Sequence, residues 1–230
     1  MLAKEDPTAD TVELRALERS AAGEDFFALP RRALSLGATL LALFLLLALL
    51  VPNQSTSIDR HWAEWMDDIQ TAVLKHVALV FNELGHGIGR ALTIVAIGVV
   101  LIVARRWWAL LAFALTEGLA PLISTVTKSL VDRPRPPDGL VHPSGASFPS
   151  GHATYAGATC VALVLLFSAS GRRRRLWWCV AAVGILAMAW SRTYLKVHWL
   201  LEVVGGSLLG AGVALVVFAG LQLLRVNRGA

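Results

Sequence analysis

What this chain can fold into is set by six apolar stretches, each nearly free of charge and about as long as a bilayer crossing. The clearest is Ala33 to Val51, mostly Leu and Ala with no charged residue. A hydrocarbon core of about 30 Å is crossed by roughly 20 helical residues, so this stretch is long enough to span. A second begins between Gly85 and Ile88 and continues through the uncharged Ala91 to Ala104. A third opens at Trp107 and runs to about Thr127, and a fourth covers Ala153 to Ser170. A fifth starts at Trp177 and ends between Ser191 and Leu195; a sixth runs from Trp199 to Leu224. Only 16% of the 230 residues are charged and 56% are hydrophobic, whereas soluble domains carry about a quarter charged residues. The expected fold is an all-α polytopic membrane protein. Its six-span bundle covers residues 33–224, and the part that carries chemistry covers about 85–215.

The polar segments fit that frame. Residues 1–32 read as a cytosolic tail with a weak amphipathic helix from Ala9 to Ala21, ended by Arg31 and Arg32. Ala33 to Val51 reads as an uncleaved span, because the tail is long for a signal peptide and VPNQS offers no small-x-small cleavage site. Residues 57–81 repeat apolar side chains at steps of three and four, from Ile58, Trp62 and Trp65 to Val77 and Val80. Asp59, Glu64, Asp67, Asp68 and Lys75 fall on the other face. That pattern predicts one amphipathic helix in the membrane interface, anchored by Trp62 and Trp65. Glu83 and His86 are too few ligands for a metal site. Cys160 and Cys179 lie inside apolar runs and read as small buried hydrophobes. Pro121 is expected to bend the third span. Glu117, in its middle, is read as bonded to a neighbouring helix, with a functional role as the alternative.

Charge sets the orientation. Six spans leave both termini on one side, with 13 of the 21 Lys and Arg, including Arg105, Arg106 and Arg172 to Arg175. The positive-inside rule makes that side cytoplasmic. The run Arg172 to Arg175 is then a topogenic signal, residues 225–230 are a cytosolic tail, and nucleic acid is excluded as a partner. The segments 128–152 and 191–198 face outward together, out of a cell membrane.

Those two segments carry the chemistry. Phosphate esters need fixed donors and positive charge around their oxygens, and more of both in the transition state. Lys128 stands at the outward end of the third span, and Arg135 follows beside Pro136 and Pro137, which stiffen the loop. Guanidinium groups grip phosphate with two prongs, and ammonium acts as a point charge. Ser150 is a natural N-cap for the helix that follows, where free N–H groups attract anions, and Gly151 allows close approach. Arg192 ends the fifth span, and His198 precedes the sixth. Glu202, four residues on, shares a helical face with His198 and can hold its Nδ1–H, leaving Nε2 free. These are the parts of a two-histidine phosphatase: one imidazole attacks phosphorus and the other protonates the leaving oxygen. No metal or other cofactor is called for. Arg133 and Lys196 read as solvated loop charges, Arg90 as a snorkelling one, and His86 and His142 as possible lining of the entrance.

Lys-x6-Arg-Pro at 128–136, Pro-Ser-Gly-His at 149–152 and Ser-Arg-x5-His at 191–198 resemble the three signatures of the type 2 phosphatidic acid phosphatase superfamily, which includes the vanadium-dependent haloperoxidases. The resemblance implies that His198 is the nucleophile forming a phosphohistidine, and that His152 is the general acid and then the base for water. It implies that Lys128, Arg135, Ser150, Gly151 and Arg192 bind phosphate. For a bacterial source it implies polyprenyl diphosphate, phosphatidic acid or phosphatidylglycerol phosphate as substrate. The family usually has Asp where this chain has Glu202. A weakened site would make the chain a lipid-phosphate binding or transport protein, which is the rival function. A Ser150–His152–Glu202 hydrolase suits the surplus of cations poorly, and six spans argue against a haloperoxidase. Membrane lipids are the expected surroundings, and oligomeric state is left open.

Overall fold

A computed structural model describes residues 30–167 and 172–228; the expected helix at Ala9 to Ala21 lies outside them. The described residues form eight helices and no strand: α1 (Pro30–Leu50), α2 (Ser57–Asp68), α3 (Ala72–Leu84), α4 (Gly87–Val103), α5 (Trp107–Val131), α6 (Gly151–Phe167), α7 (Arg172–Tyr194) and α8 (Leu200–Arg228). Four of them, α1, α5, α7 and α8, are long and apolar enough to cross a membrane. The pair α3 and α4, bent by 56° at a short break, would make a fifth crossing. Helix α6 is apolar but has 17 described residues, and the expected last residues of its span, 168–170, lie outside the described part. The chain is a multi-pass membrane protein with four or five such spans among the described residues.

Pro30 is the first described residue of α1. Arg31 and Arg32 therefore belong to the helix. Similarly the arginine run from Arg172 lies within α7, and α8 continues through Arg225 to Arg228 instead of ending at 224. Helix α5 continues through Pro121 to Val131, which places Lys128 in its last turn.

Helices α6 and α8 form the centre. Almost every residue of α6 from Ala153 to Leu166 is buried, and α8 touches α1, α2, α5, α6 and α7. Small residues let the two backbones meet. A Cβ on Gly157 would stand 2.8 Å from the Ser207 carbonyl oxygen. On Gly206 and Gly210 it would run into the Ser150 and Thr154 carbonyls. This is the close packing that small residues four apart allow between helices in lipid. Leu36, Leu46, Val99, Leu122 and Leu186 are exposed on the outer helices, the face such a bundle turns to hydrocarbon.

One expected element is broken in two. Residues 57–81 are not a single helix: α2 ends at Asp68 and α3 starts at Ala72. Thr71 caps α3 by accepting the Leu74 N–H at 3.2 Å. The fully buried Tyr194 ties the break from both sides, with its hydroxyl accepting the Thr71 N–H at 2.8 Å and donating to the Thr71 carbonyl at 3.1 Å. A tertiary partner thus outbids the helical hydrogen bonds. Apolar Ile58, Trp65, Val73 and Val80 of the stripe are exposed. Cys160 is half-buried, but Cys179 is exposed on α7, contrary to expectation.

Substituting Gly210 with Ala is expected to lower the melting temperature in detergent by several degrees, equivalent to about 1–3 kcal/mol of overpacking. Gly98→Ala, where nothing lies within 4 Å of the new methyl, leaves it unchanged or slightly raised.

Candidate active site

Four segments converge at one end of α5 and α6. Asp132 ends α5 in the left-handed conformation (φ 44°), its N–H bonded to the Lys128 carbonyl at 3.1 Å. The connection 132–150 then folds back, with the Ser147 N–H on the Arg133 carbonyl at 2.8 Å. Phe148 anchors it, fully buried and stacked on Phe44 of α1 at 6.1 Å between ring centroids. Its far end meets α8, where the Ser150 N–H donates to the Glu202 carbonyl at 3.0 Å. The connection from α7 to α8 joins it through the Leu140 N–H on the Leu195 carbonyl at 2.9 Å.

A cavity of about 480 Å³ opens between these segments, lined by Lys128, Arg135, Gly151, His152, Arg192 and His198, with Asn82, His86 and His142 at its walls. Six of the eight residues expected at the site therefore share one pocket. The other two stand behind it. Ser150 is fully buried and makes no cap bond; its Oγ has no hydrogen-bond partner. Glu202 is fully buried beneath His198, and its Oε2 lies 2.9 Å from Nδ1. A carboxylate accepts only, so Nδ1 carries the proton and Nε2 holds the lone pair.

The cations are held by fixed acceptors. Lys128 Nζ donates to the Ala146 carbonyl at 2.7 Å and the Ser147 carbonyl at 3.2 Å. Arg135 Nε donates to Gly145 at 3.0 Å, and Nη1 donates to Val197 at 2.9 Å and lies 3.3 Å from His198 Nε2. Arg192, 1% exposed, donates from Nη1 to Asn82 Oδ1 at 2.7 Å, while its Nε is buried without a partner. His152 Nε2 lies 3.1 Å from the Asn82 carbonyl oxygen, and its ring stacks on His86 at 6.1 Å. Asn82 of α3 thus serves both an arginine and a histidine of the pocket. Nothing in its local sequence distinguishes it from an ordinary polar helix residue.

The largest departure from expectation is Arg133. It is not a solvated loop charge: it is fully buried, with Nη2 on Asp59 Oδ2 at 2.7 Å and Nη1 on Glu202 Oε1 at 3.4 Å. Asp59, expected on the polar face of a surface helix, is fully buried too. It accepts the Thr56 N–H at 3.0 Å in a capping box and the Leu201 N–H at 3.1 Å. Burial pushes the Asp59 carboxyl up, but the bonds from Arg133, Thr56 and Leu201 outweigh it and hold the group below the usual carboxylate range. Ser147, which carries no signal in the sequence, joins them: its hydroxyl donates to Glu202 Oε2 and lies 3.2 Å from His198 Nδ1. Lys196 is partly exposed and pairs with Asp67 at 2.6 Å.

Beside Lys128 and Gly151 lies a second cavity of about 140 Å³, between α5 and α6. Arg90 does not snorkel there: it stands 4.0 Å from Glu117 and over the Tyr155 ring at 5.1 Å. Glu117 accepts the Thr159 hydroxyl of α6 at 2.7 Å.

The model of the PAP2 superfamily matches residues 107–225. Phosphatidylglycerophosphatase B of Bacillus subtilis (strain 168) is 31% identical over 153 residues, covering 64% of this chain and 70% of the relative. The crystal structure of a transmembrane PAP2-type phosphatidylglycerolphosphate phosphatase from Bacillus subtilis superposes with a TM-score of 0.70 at 30% identity, over 79% of this chain and 93% of that one. That of Aquifex aeolicus LpxE gives 0.59 at 18% identity, over 71% and 96%, a likeness of fold alone.

Burial, and then Arg135, Lys128 and Arg192, hold His198 well below the ordinary histidine value. An unfolded histidine takes up its proton near about 6.5. Native His198 takes it up only at lower pH, so the stability tied to its neutral ring is complete above about 6.5 and is lost as the pH falls below it. His198→Gln is expected to flatten the fall in unfolding free energy between about pH 6.5 and 5, measured by denaturant titration in detergent.

Proposed function

From the chain's membership of the PAP2 superfamily, which both the family match over 107–225 and a relative at 31% identity establish, we propose that this phosphatase hydrolyses a lipid phosphate or diphosphate through a phosphohistidine on His198. The observation that carries the reading is the convergence of two histidines and three cationic side chains, from α5, α6, α7 and the α5–α6 and α7–α8 connections, on one cavity.

The residues divide the work by their chemistry. Lys128, Arg135 and Arg192 surround the phosphoryl oxygens with charge that matters most as the transition state spreads its own. Ser150 Oγ and Arg192 Nε are buried donors without partners. Burying such groups unbonded costs about 1–3 kcal/mol each, which a phosphate oxygen at hydrogen-bond distance offsets. Nε2 of His198 gives its lone pair to phosphorus, and the bond from phosphorus to the lipid oxygen breaks, its electrons leaving on that oxygen. His152 gives the oxygen a proton. Water then attacks phosphorus while His152 takes a proton back, the N–P bond breaks with its pair returning to Nε2, and phosphate leaves. Glu202 stabilises the positive ring that forms in between. Its 2.9 Å contact with Nδ1 supports full orientation of the nucleophile, which favours an enzyme over a binding protein with a weakened site.

The finer placement follows from the charge pattern. The chain crosses the membrane six times, α3 and α4 making one bent crossing and α6 another. Helix α2 lies in the interface, both termini are cytoplasmic, and the cavity faces out. Among the three lipid classes, phosphatidylglycerol phosphate comes first because the 31%-identical relative is named for it.

The test is phosphate release in detergent from phosphatidylglycerol phosphate, phosphatidic acid and undecaprenyl diphosphate, with a chelator present. Turnover of at least one is expected, and His198→Ala abolishes it; a variant that releases phosphate as fast as the parent refutes the nucleophile. His152→Ala is expected to lower the rate by about 10²–10⁴-fold, and acid-quenched samples of the parent should carry phosphate on His198.

A further inference from the structure

Behind His198 runs a file of charges that line no part of the 480 Å³ cavity: Glu202, then Arg133, then Asp59, each fully buried. We propose that Asp59 and Arg133 are positioning residues of the reaction, acting on the nucleophilic imidazole through Glu202. The inference rests on His198 being the nucleophile.

A glutamate has one more torsion than an aspartate, so a single contact at Oε2 leaves the carboxylate free to swing away from Nδ1. Oε2 is aimed by the Ser147 hydroxyl and by the Trp199 N–H at 3.0 Å. The far oxygen, Oε1, is held by Arg133 Nη1. Arg133 cannot drift, because Nη2 is fastened to Asp59 and to the Gln54 carbonyl at 3.1 Å. Asp59 in turn is fastened to Thr56 and to the first turn of α8 through Leu201. The guanidinium fork serves the two carboxylates from separate nitrogens, Nη1 and Nη2, where an ammonium would offer a single nitrogen.

The set also carries a charge. With both carboxylates ionised, the one cation between them leaves a net negative charge beneath the imidazole. When Nε2 bonds to phosphorus the ring becomes positive, and that charge offsets it in a site where little water screens it. Arg133 alone with Glu202 would leave no excess. Asp59 therefore serves the step in which the ring charge develops, without contributing to the pocket that holds phosphate. It does so from α2, outside the residues 107–225 that the family match covers.

The test compares Asp59→Asn and Arg133→Lys with the parent in detergent, on the most readily cleaved of the three lipids named above. Asp59→Asn keeps the shape and removes the charge; Arg133→Lys keeps the charge and removes the fork, and decides the matter alone if the first variant does not fold. Each is expected to lower kcat roughly 10- to 100-fold, as loss of a supporting shell typically does. KM and competitive inhibition by inorganic phosphate should stay within about twofold of the parent, because the anion pocket is intact. A merely structural role would weaken phosphate inhibition in step with kcat. That result, or a parental kcat in both variants, overturns the proposal. His198→Ala runs alongside: if it still releases phosphate, or the parent releases none, the phosphohistidine reading fails and takes this one with it. A dead His198→Ala beside fully active Asp59→Asn and Arg133→Lys sinks only the positioning role.

Discussion

Residue 202 is where the pieces of this site are joined. Its side chain takes the His198 ring, the Trp199 N–H, the Ser147 hydroxyl and the Arg133 guanidinium, and its carbonyl takes the Ser150 N–H. Those partners come from the α5–α6 connection, the threshold of α6 and the α7–α8 connection. Each of the three motif-bearing stretches is thus registered against one residue, two of them through its carboxylate and the threshold of α6 through its backbone carbonyl. A buried carboxylate is costly unless every lone pair is used, and this cost makes the arrangement specific. Removing one partner of such a buried set leaves an uncompensated charge, worth about 3–5 kcal/mol. The connections, which elsewhere would be loose, are therefore fastened by hydrogen bonds to buried partners.

The helices supply the other half of that precision. The glycine contacts between α6 and α8 bring their backbones together without intervening side chains. Gly151 and His152 start α6, and Glu202 lies in the first turn of α8. The close packing of the two helices therefore carries directly into the spacing between the two histidines. Phe148, wedged against Phe44 and the face of Gly205, seats the connection at the same level. The candidate chemistry rests on side chains from helix ends and on the hydrogen-bonded connections 132–150 and 195–199. The apolar flanks of α1, α4 and α7 meet the bilayer and carry none of it.

Glu202 itself shows how a departure from a family pattern is absorbed. One added methylene need not misalign the imidazole if the extra freedom is removed elsewhere, and here the Arg133 guanidinium lies 3.4 Å from the far oxygen. Helix α2 is drawn into the site for the same reason. Asp59 belongs to the first turn of α2, and its capping box both starts that helix and holds the buried arginine. A local signal for a helix start and a long-range ion pair are satisfied by the same two oxygens.

Apolar run lengths made the all-helical membrane architecture legible from composition and spacing alone. The three spaced motifs picked out Lys128, Arg135, His152, Arg192 and His198 because phosphate chemistry demands those residue types. The burial of Asp59 and Arg133 was not legible: each sits among polar neighbours, and nothing nearby in the chain says that the partner lies 74 residues away. The break between α2 and α3 was hidden likewise, since the periodicity of 57–81 runs straight through it and the hydroxyl that opens it belongs to Tyr194. Asn82 and Ser147 are ordinary residues until folding sets them beside Arg192 and Glu202. Local pattern determines which segments are helical and which residue types could do the chemistry. Which charges are desolvated together, and hence which are strong enough to orient an imidazole, is decided only when distant segments exclude water from one another.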